Sequence, residues 1–218
     1  MSPDDQAAST APLFFLSYAR TGEGAEHVPE RGAHHLVFEF FGDLSDQVAE
    51  LTARRAGVEP GFLDRTIGVG ASWPQEVSRV LGNCQAFVPL LNGPYMTSEW
   101  CAKEWDAVSR RKVFDAHGAV EKSPIIPVIW APYPRNLTPS VIKVVQYFSP
   151  TNPPEHNVIA AYERYGVGGL LWTNQDDAYR FVVWQLAKHI ADFCHSYRVE
   201  PETVDVDSLR FIFREDVP

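Results

Sequence analysis

The chain is short of several things. Among 218 residues there are three cysteines and two methionines. Cys84, Cys101 and Cys194 lie far apart with no CxxC spacing, which excludes a disulfide-stapled miniprotein and a thiolate zinc site and suits a reducing compartment. Positive charge is also scarce. Nineteen Lys and Arg against 28 Asp and Glu leave a net charge of −9, so bulk charge argues against wrapping nucleic acid or an anionic membrane. No apolar run reaches the ~20 residues of a membrane span. The first ten residues are polar and acidic, unlike a secretory signal, and a cytoplasmic location is expected. Whole motif classes are missing too. There is no GxxxxGK[ST] loop, no GxGxxG after the first apolar run, no HExxH and no GxSxG, so P-loop, Rossmann, zincin and serine-hydrolase readings fall away. His34 and His35 are adjacent and do not share a helical face; two solvated histidines are the simpler reading. Cys194-His195 reads as a helix-terminal thiol and imidazole. No metal site is expected.

What is present is ordinary for a folded α/β chain: 45% hydrophobic and 22% charged residues. Residues 1–11 read as a flexible tail, 12–196 as one domain and 197–218, polar and acidic but for Phe211-Ile212-Phe213, as a C-terminal extension that is either a docking tail or a linker. Leu13 to Tyr18 is an apolar run suited to a strand buried on both faces. A helix is expected over about 34–56, from Val37, Phe41, Leu44, Val48 and Leu51, stopping at Gly57. A short strand over 61–64, a loop from Arg65 to Ser72, and a helix from Pro74 to about Leu81 follow. Strands are expected at 86–91 and 125–130, each with an awkward internal proline, and at 144–148. Helices are expected at 98–114, near 158–165 within an otherwise irregular 150–172, and at 175–195. Strands alternating with helices imply a parallel, doubly wound sheet, whose ligands bind beyond the carboxyl ends of the strands.

Three segments follow strands: Ser17-Tyr18-Ala19-Arg20; Phe62-Leu63-Asp64-Arg65 with Gly70 and Trp73; and Ser98-Glu99-Trp100-Cys101-Ala102-Lys103-Glu104-Trp105. In this order they resemble the TIR domain (Toll/interleukin-1 receptor and resistance protein) in its bacterial form, over about residues 12–195. Within that family the chain is most similar to the actinobacterial TIR-like FxsC proteins, encoded beside maturation genes for FxSxx ribosomal peptides. The resemblance implies a flavodoxin-like three-layer α/β/α fold with five parallel strands. It also implies one of two activities: signalling by TIR–TIR self-association or other protein contacts, or cleavage of NAD+ at the nicotinamide–ribose bond, with NAD+ as substrate and not as cofactor. In the enzymes the glutamate matching Glu104 is catalytic.

The chemistry agrees with a single carboxylate. Breaking this N-glycosidic bond passes through an oxocarbenium-like transition state, which a carboxylate stabilises. Nicotinamide leaves NAD+ neutral and needs no proton. Trp100 lies one turn before Glu104, where an indole could stack on the cationic ring or belong to the core. Ser17, Tyr18, Arg20, Arg65, Gly70 and Trp73 complete the candidate NAD+ site. The two arginines could meet a diphosphate, though arginines are more often solvated surface charges; Gly68 and Gly70 suit a mobile gate, and Asp64 suits a loop cap. Trp105 reads as core, and Cys101 as a buried thiol. The rival readings are a non-catalytic interaction module acting through Arg65 to Trp73, and a domain that binds NAD+ without turnover.

Overall fold

The computed structural model describes residues 11–20, 33–53, 58–63, 75–134, 136, 138–153 and 157–214. Four short strands form one parallel sheet: β1 (Phe14–Ser17), β2 (Gly61–Leu63), β3 (Ala86–Leu91) and β6 (Val128–Ile129), in the order β2-β1-β3-β6. The chain steps from β1 outward to β2, then crosses back over β1 to β3. The order therefore reverses between β1 and β3, and a crevice is expected at their carboxyl ends.

Side-chain alternation along these strands divides the core in two. Phe14, Leu16, Val88, Leu90 and Val128 pack in one cluster with helices α1 (Ala33–Leu51), α6 (Val158–Trp172) and α7 (Asp176–Ser196). Phe15, Phe87 and Leu91 pack in a second with α2 (Gln75–Asn83), α3 (Gly93–Thr97) and α4 (Glu99–Ser109). Both faces of β1 are closed to water, which explains its unbroken apolar run. Ser17 follows Phe15 by two residues, so it faces α4.

The prolines in the strands have a positional answer. Phe87 and Leu91 both bond to the 124–131 segment: Phe87 N donates to Pro124 O at 2.9 Å, and Leu91 O accepts from Trp130 N at 2.9 Å. Pro89 faces the same way and has no N–H, so one rung is missing and pairing reduces to an isolated Phe87–Ile125 bridge and the short strand β6. The 125–130 strand is correspondingly shorter than expected.

The fifth strand expected at 144–148 is not formed. Residues 140–143 make a one-turn helix α5 (Ser140–Lys143), and Val144 stands 82% exposed in the turn after it. The outer edge of β6 is satisfied otherwise. Phe148 N donates to Pro127 O at 2.7 Å, and Tyr162 of α6 accepts from Ile129 N at 3.0 Å while donating to Phe148 O at 3.2 Å. A hydroxyl group stands where a strand's carbonyl would.

Other boundaries moved for local reasons. α1 ends at Leu51; Gly57, expected to stop it, lies outside the described residues. α4 ends at Ser109, because Val113–Asp115 (β4) turns back onto Gly118–Val120 (β5) as a hairpin and pairs with Arg198–Val199 (β7). α6 runs to Trp172 through Gly168-Gly169, where irregular chain was expected, and is kinked at Gly166. Residues 197–214 are not loose. They strap across the second cluster and bury Leu209, Ile212 and Phe213 in it.

Candidate functional site

The segment after β3 starts with two caps. Asn92 Oδ1 accepts from Tyr95 N at 2.9 Å and opens α3; Ser98 Oγ accepts from Cys101 N at 3.3 Å and opens α4. These turns bring α4 across the carboxyl end of the sheet, where Glu104, on its second turn, meets Ser17 at the end of β1.

Ser17 Oγ donates to Glu104 Oε2 at 2.5 Å and lies 3.1 Å from Tyr95 Oη. A serine hydroxyl has one proton. With that proton on Glu104, Tyr95 must donate to Ser17, so the three groups form a directed chain from Tyr95 through Ser17 to the carboxylate. All three are closed in: Ser17 is 1% exposed, Glu104 6%, and Tyr95 is fully buried. Burial raises the Tyr95 hydroxyl well above its ordinary range, and the neighbouring Cys101 and Glu104 add to this, so it remains a donor at any working pH. Burial also pushes the Cys101 thiol up, with the Glu104 charge reinforcing it; this thiol stays neutral and is no nucleophile.

The other expected site residues divide. Trp100 is half-buried against the second cluster, with Lys103 Nζ 6.0 Å from its ring centre. Lys103 in turn is held by Glu99 at 2.7 Å. Tyr18 packs against the first cluster, across the sheet from Ser17, and Arg20 lies 5.9 Å over its ring. Arg65, Gly70 and Trp73, with Asp64 and Gly68, lie outside the described residues. Trp105 is core, edge-on to Phe87 and to Phe213. Tyr95 escaped the sequence reading. Its signal was there: Asn92-Gly93-Pro94 directly after a strand announces a capped turn at the carboxyl end of the sheet, where ligand-facing residues gather.

Among the described residues no group of three His, Cys, Asp or Glu is placed to hold a metal ion, and no helix is long and apolar enough to cross a membrane. A comparison with curated proteins finds no match. The family model for the TIR domain matches residues 44–162, more than half of the chain. That span holds Trp100, Cys101 and Glu104 in α4; it begins after Ser17. On this match the chain belongs to the TIR domain family.

Proposed function

We propose that this protein is a TIR-domain NAD+ glycohydrolase with Glu104 as its catalytic carboxylate. The observation that carries the reading is the Ser17–Glu104 hydrogen bond at the carboxyl end of β1, beside the reversal of strand order. TIR domains serve signalling or NAD+ cleavage in general, and the finer assignment rests on this carboxylate. In the reaction the nicotinamide–ribose bond breaks with its electron pair going to nicotinamide. Glu104 offsets the positive charge left on the ribose, and water, or the adenine ring in a cyclising enzyme, bonds to the anomeric carbon and loses a proton. Ser17 and Tyr95 hold the carboxylate in one orientation, and Trp100, one turn earlier, offers a ring to the cationic pyridinium. Glu104 is only 6% exposed, so the carboxylate must be uncovered before NAD+ reaches it. Self-association is the natural trigger, as the family often completes its site between protomers. The FxsC-type and bacterial assignments rest on the same sequence motifs, and the cytoplasmic one on the polar, acidic first ten residues and the sparse cysteines.

The deciding experiment measures nicotinamide release from NAD+ at high protein concentration, for wild type and Glu104→Gln. The expected result is release by wild type and at least ~100-fold less by the variant, since a transition-state charge loses its partner. One observation favours a second reading, a non-catalytic interaction module. The Glu104 carboxylate already has an internal partner in Ser17 and serves packing as it stands. Silence of both proteins, concentrated or assembled, with no NAD+ binding selects that module; silence with retained NAD+ binding selects a domain that binds without turnover.

A further inference from the structure

On the same face of the sheet as Glu104, but lined by neither Glu104, Ser17, Tyr95 nor Trp100, is a cavity of about 760 Å³. It lies between the carboxyl end of α4, the β4–β5 hairpin, α5 and the C-terminal strap. Its charge is opposite to that of the molecule. Arg110, Arg111, Lys112, Lys122 and Arg210 line it, against Asp106 and Glu121. The whole chain carries −9, so this concentration of cations is a local feature.

Arg111 distinguishes the cavity from a solvated basic patch. It is 5% exposed and has no carboxylate partner among the described residues. Nε donates to Glu200 O at 3.1 Å, and Nη1 donates to Leu81 O at 3.0 Å and Cys84 O at 2.7 Å. Nη2 is buried and has no hydrogen-bond partner among the described residues. Buried charges are normally paired, and buried N–H groups normally bonded. Carbonyl oxygens at the end of α2 offset part of the charge and leave Nη2 with donors to spare. Asp106 does not supply the missing anion. It is taken by Arg110, and by Arg210 through Nη2 at 3.4 Å and the backbone N at 3.0 Å. The lining also holds apolar side chains, among them Ile125, Val141, Val145 and Ile212.

We propose that this cavity binds a nucleoside phosphate, with the phosphates on the Arg111, Arg110 and Arg210 side and the base against Ile125, Val145 and Ile212. Guanidinium groups grip phosphate oxygens in a fixed fork, and the volume lies within the range of small-molecule sites. Because its lining is distinct from the candidate NAD+ site, it would act as an effector site. The strap supplies Arg210 and Ile212, so occupancy would tighten residues 197–214 onto α4.

The test is calorimetric titration of the whole chain with ATP, pyrophosphate and adenosine. Arg111→Met removes three carbonyl contacts and endangers the fold, so the exposed Lys122 and Arg210 carry the test, as Lys122→Glu and Arg210→Glu. Expected are saturable binding of one ATP, weaker binding of pyrophosphate, none of adenosine, and at least a tenfold loss of ATP affinity in each variant with the melting temperature little changed. Trp100→Ala should bind ATP as wild type does. The proposal is overturned by absent or non-saturable ATP binding, by pyrophosphate binding as tightly as ATP, by affinity indifferent to both charge reversals, or by loss in Trp100→Ala, which would place the nucleotide beside Glu104. None of these outcomes depends on NAD+ turnover.

Discussion

Ser17 is the smallest side chain in the candidate site and the one whose loss is most informative. Ser17→Ala leaves Glu104 without its 2.5 Å donor and Tyr95 without its acceptor, both in a buried setting. A hydrogen bond to a charged group contributes about 1.5–3 kcal/mol, so urea unfolding should show a loss of that order. Tyr95→Phe removes only the outer, neutral bond and should lose about 0.5–1.5 kcal/mol. If the chain is an enzyme, both variants should lower kcat more than they raise KM, because they disturb the carboxylate and not the ligand's binding surface. A loss in Tyr95→Phe equal to that in Ser17→Ala would contradict the directed chain. His189 makes a second residue-scale test. Burial holds its imidazole below its ordinary value of 6.5, and the facing Lys122 and Lys188 add to this against Asp192. The unfolded chain therefore takes up the proton first as pH falls below 6.5, and stability is lost in that direction. Between pH 7.5 and 5.5 the urea midpoint of wild type should fall more than that of His189→Gln.

At the scale of elements, the kinked helix α6 shows what composition hides. Gly166 has φ +66°, and a Cβ there would meet Trp130 O at 2.5 Å and Trp130 C at 2.6 Å. The helix breaks at this residue so that its backbone can lie on the end of β6, and Gly168 N then donates to Trp130 O at 2.9 Å. Gly166→Ala combines a left-handed backbone with a backbone clash that no rotamer relieves. It should destabilise by about 2–4 kcal/mol, read as a lowered melting temperature. In the sequence, the pair Gly168-Gly169 looked like irregular chain, because a glycine that permits close approach and one that loosens a loop are the same letter. β1, β3, α1 and α7 were legible, since period and burial agree along each of them. The strand expected at 144–148 was a misreading of β-branched residues: Val144 and Val145 are strand formers in a turn, and the edge they were to cover is satisfied by the Tyr162 hydroxyl. The Ser17–Glu104 pairing was half legible. Both residues stood in motifs, but their 87-residue separation is closed only by the sheet.

At the scale of the whole molecule, the C-terminal strap completes the domain, as a docking tail and not as a linker. It lies beyond the span matched by the TIR family model, 44–162, yet it closes the core that holds Glu104. Phe213 packs against Tyr95 at 5.9 Å and against Trp105 at 6.1 Å, one residue on either end of the candidate site's support. Glu202 N donates to Gly82 O at 2.9 Å, and a Cβ at Gly82 would lie 2.0 Å from Glu202 O, so α2 is cut to receive the strap. Burying Ile212 and Phe213 contributes about 1.5–3 kcal/mol each before ordering costs. Phe213→Ala should therefore cost about 3–5 kcal/mol, and a chain ending at Val199 should unfold at markedly lower urea. The strap's contact with Tyr95 makes the effect more than additive stability. Under conditions where Phe213→Ala is still folded, any activity that needs Glu104 should fall with it, because Tyr95 loses the ring that fixes its hydroxyl over Ser17. Unchanged stability in the shortened chain would show that residues 200–218 are an appendage; a loss of both stability and Glu104-dependent activity would make the strap part of the working domain.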